Sequence, residues 1–193
     1  MTPPGGSRDA TREDILEKTR TLRSSSRDET IRIGKRIGRH LKAGDVVALT
    51  GELGAGKTHL IKGIAAGAGI RETDRVTSPS FTLLQEYPGK IPFYHVDFFR
   101  LNLEEESETL GLEDVLGKNG ITAIEWAGKF PSWLPEDHLS IHIDYLGPHA
   151  RSLSFQGRGK GGERLLREIF PDPDDPEQGS PESRCLRENP SSP

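Results

Sequence analysis

Ile33, Ile37 and Leu41 recur at i, i+4 and i+8, which marks one apolar face of a helix. Ser26 and Glu29 stand ahead of them at capping-box spacing, so the helix is expected to start there, and KAGD (Lys42 to Asp45) ends it. The period then changes. Asp45 to Thr50 (DVVALT) is a short continuous apolar run, the pattern of a strand buried on both faces. A second helix is expected from about Lys57, with Leu60, Ile61, Ile64, Ala65 and Ala68 on one side and AGAGI as its close. Phe81 to Tyr87 and Ile91 to Phe99 read as strands joined by a turn at Pro88 and Gly89. Gly120 to Ala127 reads as another buried strand. LSIHIDYL and ARSLSFQG alternate apolar and polar residues, as half-buried antiparallel strands do. Leu103 to Val115 suggests a helix broken at Gly111, and Gly162 to Phe170 a last short helix. The order α-β-α-β-β-α-β-β-β ahead of that helix predicts an α/β domain.

The flanks have little to bury. The first 25 residues are polar, with a turn or two of helix expected between Ile15 and Leu22. Pro171 to Pro193 holds six prolines, six acids and two arginines and is expected to be disordered. The chain therefore divides into a flexible extension (1–25), a folded domain (26–170) and an acidic, proline-rich tail (171–193). With 32% of its 193 residues apolar and a mean hydropathy of −0.60, the chain fits a core with non-core flanks. The tail accounts for the whole net charge of −4, so the remainder is neutral and a global basic field for nucleic acid is absent. Cys185 is the single cysteine and has no partner for an intramolecular disulfide. No apolar run approaches the roughly 18 residues of a membrane span, and the N-terminus lacks an apolar signal core. A cytoplasmic protein with no membrane partner is the expectation.

Thr50 to Gly63, TGELGAGKTHLIKG, changes the picture. Glycine weakens helices, yet it crowds the start of this one. Gly51-Glu52-Leu53-Gly54-Ala55-Gly56-Lys57-Thr58 fits G-x-x-x-x-G-K-[ST] between an apolar strand and a helix, the context the pattern demands. In such a loop the glycines let backbone N–H groups turn toward a polyphosphate, and the helix N-terminus adds partial positive charge. Lys57 is expected to reach the β- and γ-phosphates of ATP and the Thr58 hydroxyl to ligate Mg²⁺.

Two acids end apolar strands. Asp97 closes FYHVD and Glu125 closes ITAIE, so both are expected at the carboxyl edge of the sheet beside the loop. Asp97 suits Mg²⁺, directly or through water; a capping aspartate is the plainer role. Glu125 suits the positioning or deprotonation of water, with a place in the metal shell beside Thr58 and Asp97; an ion pair with Arg100 is the structural alternative. Trp126 either packs or stacks on a base or partner. Thr77, Ser78 and Ser80 supply hydroxyls around Pro79 where a phosphate sensor is often placed, with Thr77 and Ser80 the candidate phosphate contacts. The six histidines show no metal-ligand spacing.

Taken in order, Ser26 to Thr30, GELGAGKT, TSPSF, HVDFFRL (His95 to Leu101), TLGLEDV (Thr109 to Val115) and IEW resemble the TsaE (YjeE) family from about Ser26 to Trp126, and more loosely to Gln156. The resemblance implies a mixed sheet of the P-loop NTPase type with flanking helices, and a Mg²⁺-dependent ATPase that is slow alone. It implies that Lys57 and Thr58 bind ATP and Mg²⁺, that Asp97 serves metal and catalysis, that Glu125 is needed for turnover, and that Thr77 to Phe81 acts as a switch. It also implies a partner, the TsaB–TsaD dimer, which makes threonylcarbamoyladenosine in tRNA. ATP hydrolysis to ADP would reset that complex, and tRNA would be met only through it. The chain departs from the family pattern with Glu52 where Asp is common, His59 and Ser80 where Thr is common, and Ala127-Gly128-Lys129 in place of a Pro-Glu after the tryptophan. A small-molecule kinase would need a lid, for which RGKGGER (Arg158 to Arg164) is the sole candidate. A GTPase would need Asn-Lys-x-Asp, and GKNG has the wrong order. A binding module with ATP as a structural ligand would not need acids at two strand ends.

Overall fold

The computed structural model of the chain describes residues 19–101 and 116–171. Seven strands and three helices are found among them: β1 (Thr19–Ser24), α1 (Arg27–Gly38), β2 (Val46–Thr50), α2 (Lys57–Gly67), β3 (Leu84–Tyr87), β4 (Phe93–Asp97), β5 (Ile121–Glu125), β6 (His138–Tyr145), β7 (Arg151–Arg158) and α3 (Gly159–Ile169). They form one sheet in the order β1-β7-β6-β2-β5-β4-β3. β6, β2, β5 and β4 are parallel, so their carboxyl ends share one edge. β3 adds antiparallel on one side, and β7 and β1 on the other. The α/β class with a mixed sheet is as the sequence predicts.

Burial follows strand position. β2 and β5 lie in the middle and are apolar throughout, apart from Thr50, Thr122 and Glu125. One face of the sheet carries Val47, Leu49, Phe93, Ile121, Ala123, Leu139 and Phe155 against Ile37 of α1, Leu60 and Ile64 of α2, and Leu165 and Ile169 of α3. The other face carries Val46, Ala48, Val96 and Ile124 against Phe98, Leu101 and Phe130. There Phe130 stacks on Trp133 with centroids 4.3 Å apart, and Phe98 meets both edge-on.

α1 starts as its sequence directs. Ser26 accepts from Glu29 N at 3.1 Å. The Glu29 carboxylate reaches back one residue further than the usual box, to Ser25 N at 2.7 Å and Ser25 Oγ at 2.5 Å. α1 then lies directly on α2 through four glycines. Ideal Cβ atoms on Gly34 and Gly63 would each lie 3.0 Å from the other's Cα, and those on Gly38 and Gly67 2.9 Å. Each would also overlap a backbone carbonyl of the opposite helix: that of Leu60 for Gly34, Ile31 for Gly63, Ile64 for Gly38 and Lys35 for Gly67. Two glycines one turn apart on each helix thus build a seam of backbone on backbone.

Several boundaries differ from expectation. Residues 19–24, assigned to the flexible extension and in part to a helical turn, form β1 on the free edge of β7. TRTLRS has one apolar residue, so no alternation announced a strand; main-chain pairing with β7 makes it one. The run from Phe81 becomes strand only at Leu84. Thr82 N and Leu83 N donate to Pro79 O, and Leu83 takes φ +63°, which turns the chain first. β6 is antiparallel to β7 as expected but parallel to β2 on its other side. The helix expected over Leu103 to Val115, including TLGLEDV from Thr109, lies outside the described residues, as do residues 1–18 and 172–193. Among the described residues no helix is long and apolar enough to cross a membrane.

The glycine seam sets a sign test. Alanine at a helical position gains about 1 kcal/mol of propensity over glycine, whereas forcing a methyl into a packed interior costs about 1–3 kcal/mol or more. The groups that a methyl on residue 63 would meet are backbone and cannot swing aside. Gly63→Ala is expected to lower stability by about 2 kcal/mol net, read as a lower urea midpoint with an unchanged slope.

Candidate functional site

The loop between β2 and α2 is shaped by glycine where side chains do not fit. Gly51 takes φ +138°, and a Cβ there would overlap the Ile143 carbonyl oxygen. Gly54 and Gly56 take φ +77° and +104°. Gly56 is the N-cap of α2, and no side chain caps that helix, so the positive end of its dipole opens on the loop. Lys57 opens α2 and folds back beneath the loop. Its ammonium donates to the Gly51 and Glu52 carbonyls, both at 2.8 Å, and lies 4.0 Å from the centroid of the Trp126 ring. Burial pushes its pKa down, against the opposing pull of the Glu125 and Asp97 charges.

Asp97 and Glu125 are register partners at the carboxyl ends of β4 and β5. Phe93, four residues before Asp97, and Ala123, two before Glu125, lie on the same sides of their strands and pack toward the helices, so the two acids also point to the α2 face. Both are almost fully buried, at 1% and 3% exposed. Glu125 Oε1 accepts from Thr58 Oγ1 at 2.7 Å and lies 3.0 Å from His95 Nε2, which leaves Oε2 for the cleft. The Arg100 alternative is excluded, since that guanidinium sits over the Phe81 ring at 4.1 Å. Asp97 serves the loop before β3. Its Oδ2 accepts from Ser78 Oγ and, at 3.0 Å, from Ser80 Oγ, and its Oδ1 accepts from Phe99 N at 2.9 Å. Of the two acids it is Glu125, not Asp97, that touches the hydroxyl after the loop lysine.

The cleft has a volume of about 240 Å³ and brings together Leu53, Gly54, Gly56, Lys57, Thr58, Ser80, Asp97 and Glu125 from the expected set. Gly51 and Glu52 take part through the carbonyls that hold Lys57, and Ala55 is buried behind the loop. Thr77 does not join them. It is exposed and lines a neighbouring cavity of about 590 Å³ with Glu72, Arg75 and Phe81; Ser78 takes its place at the cleft. The reason is local: Asp97 Oδ2 takes the hydroxyls of Ser78 and Ser80 and so draws Ser78 inward. Thr58, Asp97 and Glu125 make an oxygen-rich donor set of the kind a hard divalent cation takes, and the loop amides with Lys57 make an anion cradle.

Sequence reasoning missed three supports. His95 is fully buried, and its Nδ1 finds no partner among the described residues. With a bare Nδ1, the hydrogen sits on Nε2 and is given to Glu125. Its place two residues before Asp97, on the same side of an apolar strand, was the available signal. Lys129, in the stretch that departs from the family pattern, donates to the carbonyls of Phe99 at 2.8 Å and Leu101 at 2.7 Å, tying the loop after β5 to the one after β4. Arg151 on β7 bonds to the back of the loop between β2 and α2, at the Ala55 carbonyl. Trp126 takes φ +59°, a conformation uncommon for a bulky residue, and packs between Lys57 and Phe99, whose ring centroid is 4.9 Å away. His59 at the cleft mouth has its pKa lowered by burial and by the charges of Arg27, Lys62 and Arg151.

A family model described as "Threonylcarbamoyl adenosine biosynthesis protein TsaE" matches residues 24–153. Relatives named tRNA threonylcarbamoyladenosine biosynthesis protein TsaE include one from Bacillus subtilis, 40% identical over 76% of this chain and 91% of the relative. Another, from Treponema pallidum, is 40% identical over 68% of this chain and 96% of the relative. One from Haemophilus influenzae is 38% identical over 70% and 88%. The crystal structure of Bacillus subtilis YdiB superposes with a TM-score of 0.65 at 34% identity, covering 79% of this chain and 94% of that one.

The buried His95–Glu125 contact carries a measurable coupling. A hydrogen bond to a charged group contributes about 1.5–3 kcal/mol, so His95→Leu is expected to destabilise by about that amount while Glu125 is a carboxylate. In a double-mutant cycle with Glu125→Gln, read by urea unfolding, the His95→Leu cost is expected to shrink by more than half. Equal costs in both backgrounds would show the contact to be incidental.

Proposed function

The chain belongs to the TsaE family of threonylcarbamoyl adenosine biosynthesis proteins, and from that premise we propose that it binds and hydrolyses ATP in the cytoplasm as the partner of a TsaB–TsaD dimer. The observation that carries this reading is the bond from Thr58 to Glu125 beside Lys57. It joins the start of α2 to a strand-end carboxylate in the same cleft that holds the loop amides. A module that only held nucleotide would have no use for a strand-end carboxylate anchored by two donors in the same cleft as the loop.

The roles follow from what each group touches. Gly54 and Gly56 admit the phosphates close to the backbone. Lys57, released from the Gly51 and Glu52 carbonyls, gives its donors to the β- and γ-phosphates. Thr58 presents its oxygen to the metal while its hydrogen stays on Glu125, and Asp97 completes the acidic wall. Mg²⁺, when bound, neutralises the charge that builds on the phosphate oxygens. Glu125 Oε2 orients the attacking water and takes its proton, held in place by His95. Ser80 and Ser78 sense the γ-phosphate by way of Asp97. The cleft is below the usual 300–1,000 Å³ of a site that encloses a whole organic ligand. It therefore closes on the charged end of ATP, and the base lies toward the open mouth at Leu53 and His59. On this reading the partner dimer performs the transfer to tRNA, and turnover of ATP resets it between cycles.

The test pairs binding with turnover on the same preparations, with the partner dimer present. Lys57→Ala is expected to weaken ATP binding about a hundredfold; unchanged affinity by calorimetry would end the phosphate-loop reading. Asp97→Ala is expected to weaken binding of ATP with Mg²⁺. Glu125→Ala is expected to keep nucleotide affinity within a few-fold yet slow single-turnover hydrolysis by about 10²-fold or more, the scale of a lost general base. Hydrolysis at the parental rate would make Glu125 structural.

A further inference from the structure

The loop between β2 and α2 is held from behind by a residue that does not itself line the cleft. Arg151 begins β7, directly after the β6–β7 turn. Its Nε donates to the Ala55 carbonyl at 2.8 Å, and its Nη2 reaches toward the Gly54 carbonyl at 3.4 Å. Its Nη1 donates to the Gly147 and Ala150 carbonyls at 2.7 and 2.8 Å. The guanidinium lies 4.4 Å from the centroid of the Tyr145 ring. With these donors committed to carbonyls, the guanidinium is a bracket between the turn and the loop, not a contact for a ligand.

The bracket has a consequence for the side of the loop that faces the cleft. A trans peptide is planar, with its C=O and N–H pointing in opposite directions. Fixing the Ala55 carbonyl on Arg151 therefore turns the Gly56 N–H away from β7, toward the cleft that Gly56 lines. Without the bracket little would keep it there. The peptide is followed by glycine at φ +104°, and glycine crosses between conformations at low cost, so the Ala55–Gly56 peptide is free to flip and present a carbonyl to the anion site. Lysine cannot replace the arginine fully, because the two sides of the bracket need a rigid fork of donors.

We propose that Arg151 is the positioning residue of the phosphate loop, setting the direction of the Gly56 N–H, and so the affinity for polyphosphate, from the β6–β7 hairpin. The affinity part rests on the ATP reading above; the hold on the loop does not. The experiment uses the full chain and Arg151→Met and Arg151→Lys variants, with melting temperature as the check on folding. Hydrogen exchange of loop amides 52–58 is followed without nucleotide, and ATP–Mg²⁺ affinity by calorimetry. In Arg151→Met, loop exchange is expected to rise and ATP affinity to fall, each about tenfold, the scale of one lost hydrogen bond, while core amides keep their protection. Arg151→Lys, with one point donor, is expected to fall between. If Arg151→Met does not fold, Arg151→Lys decides, and it must still raise loop exchange about threefold. Unchanged loop exchange overturns the proposal. So does faster exchange with unchanged ATP affinity, which would leave Arg151 a brace of the hairpin alone. Should the parental chain bind no ATP, the functional reading fails, and loop exchange by itself upholds or overturns the bracket.

Discussion

The contact on which the site depends is the backbone-to-backbone seam between α1 and α2. Most helix pairs are kept apart by side chains, at interaxial distances of about 8–10 Å. Here Gly34 and Gly38 face Gly63 and Gly67, and the helices close until Cβ atoms would collide. The seam lies in the C-terminal half of α2, away from Lys57 and Thr58, yet it fixes their place. α2 is a rigid rod of 11 residues. With its far half locked to α1 and its inner face on Leu49 and Ala123, its first turn has little freedom over the ends of β2 and β5. The Thr58–Glu125 bond at 2.7 Å is the near end of that constraint.

Within that frame four polar side chains at the cleft are answered by the protein itself: Lys57 by loop carbonyls, Thr58 by Glu125, Glu125 by His95, Asp97 by two serines and an amide. Buried charges need such partners, since an unpaired one costs several kcal/mol. Under the proposed function, binding is for these side chains an exchange of partners, and only the loop amides add contacts outright. Affinity can be modest even where the gross interactions are strong.

What the sequence made legible was whatever rests on local spacing. The loop from Gly51 to Thr58, the helix behind it, the capping at Ser26 and the two acids at strand ends all follow from residues a few positions apart. β2 and β5 were visible because central parallel strands are apolar on both faces. What was illegible depends on contacts across long stretches of chain. β1 is a strand only because β7 offers an unpaired edge. Gly34 and Gly63 look like weak points in two helices until the helices are seen to touch. Arg151 lies 96 positions from the carbonyl it holds. Thr77 was preferred over Ser78 because both carry hydroxyls; the choice is made by Asp97, 19 positions from Ser78, whose carboxylate takes the Ser78 hydroxyl.

The pairing of Asp97 with Ser78 and Ser80 decides how the loop before β3 is coupled to the cleft. That loop has few other anchors: Pro79 is buried, but Thr77, Phe81 and Thr82 are exposed, Phe81 to 84%. Its link to the cleft is the two hydroxyl bonds to one carboxylate oxygen. Under the proposed function, a cation drawn to Asp97 competes with the two hydroxyls for that same oxygen, so a gain at the cleft is a loss for the loop. Glu125 has no such conflict. Its donors, Thr58 on α2 and His95 on β4, sit on rigid elements and converge on one oxygen, Oε1. The two acids look alike in sequence, each ending an apolar strand, but one is wired to a lightly anchored loop and the other to the scaffold. Under the proposed function, that difference suits Asp97 to transmit occupancy of the site outward, and Glu125 to chemistry that requires it to stay still.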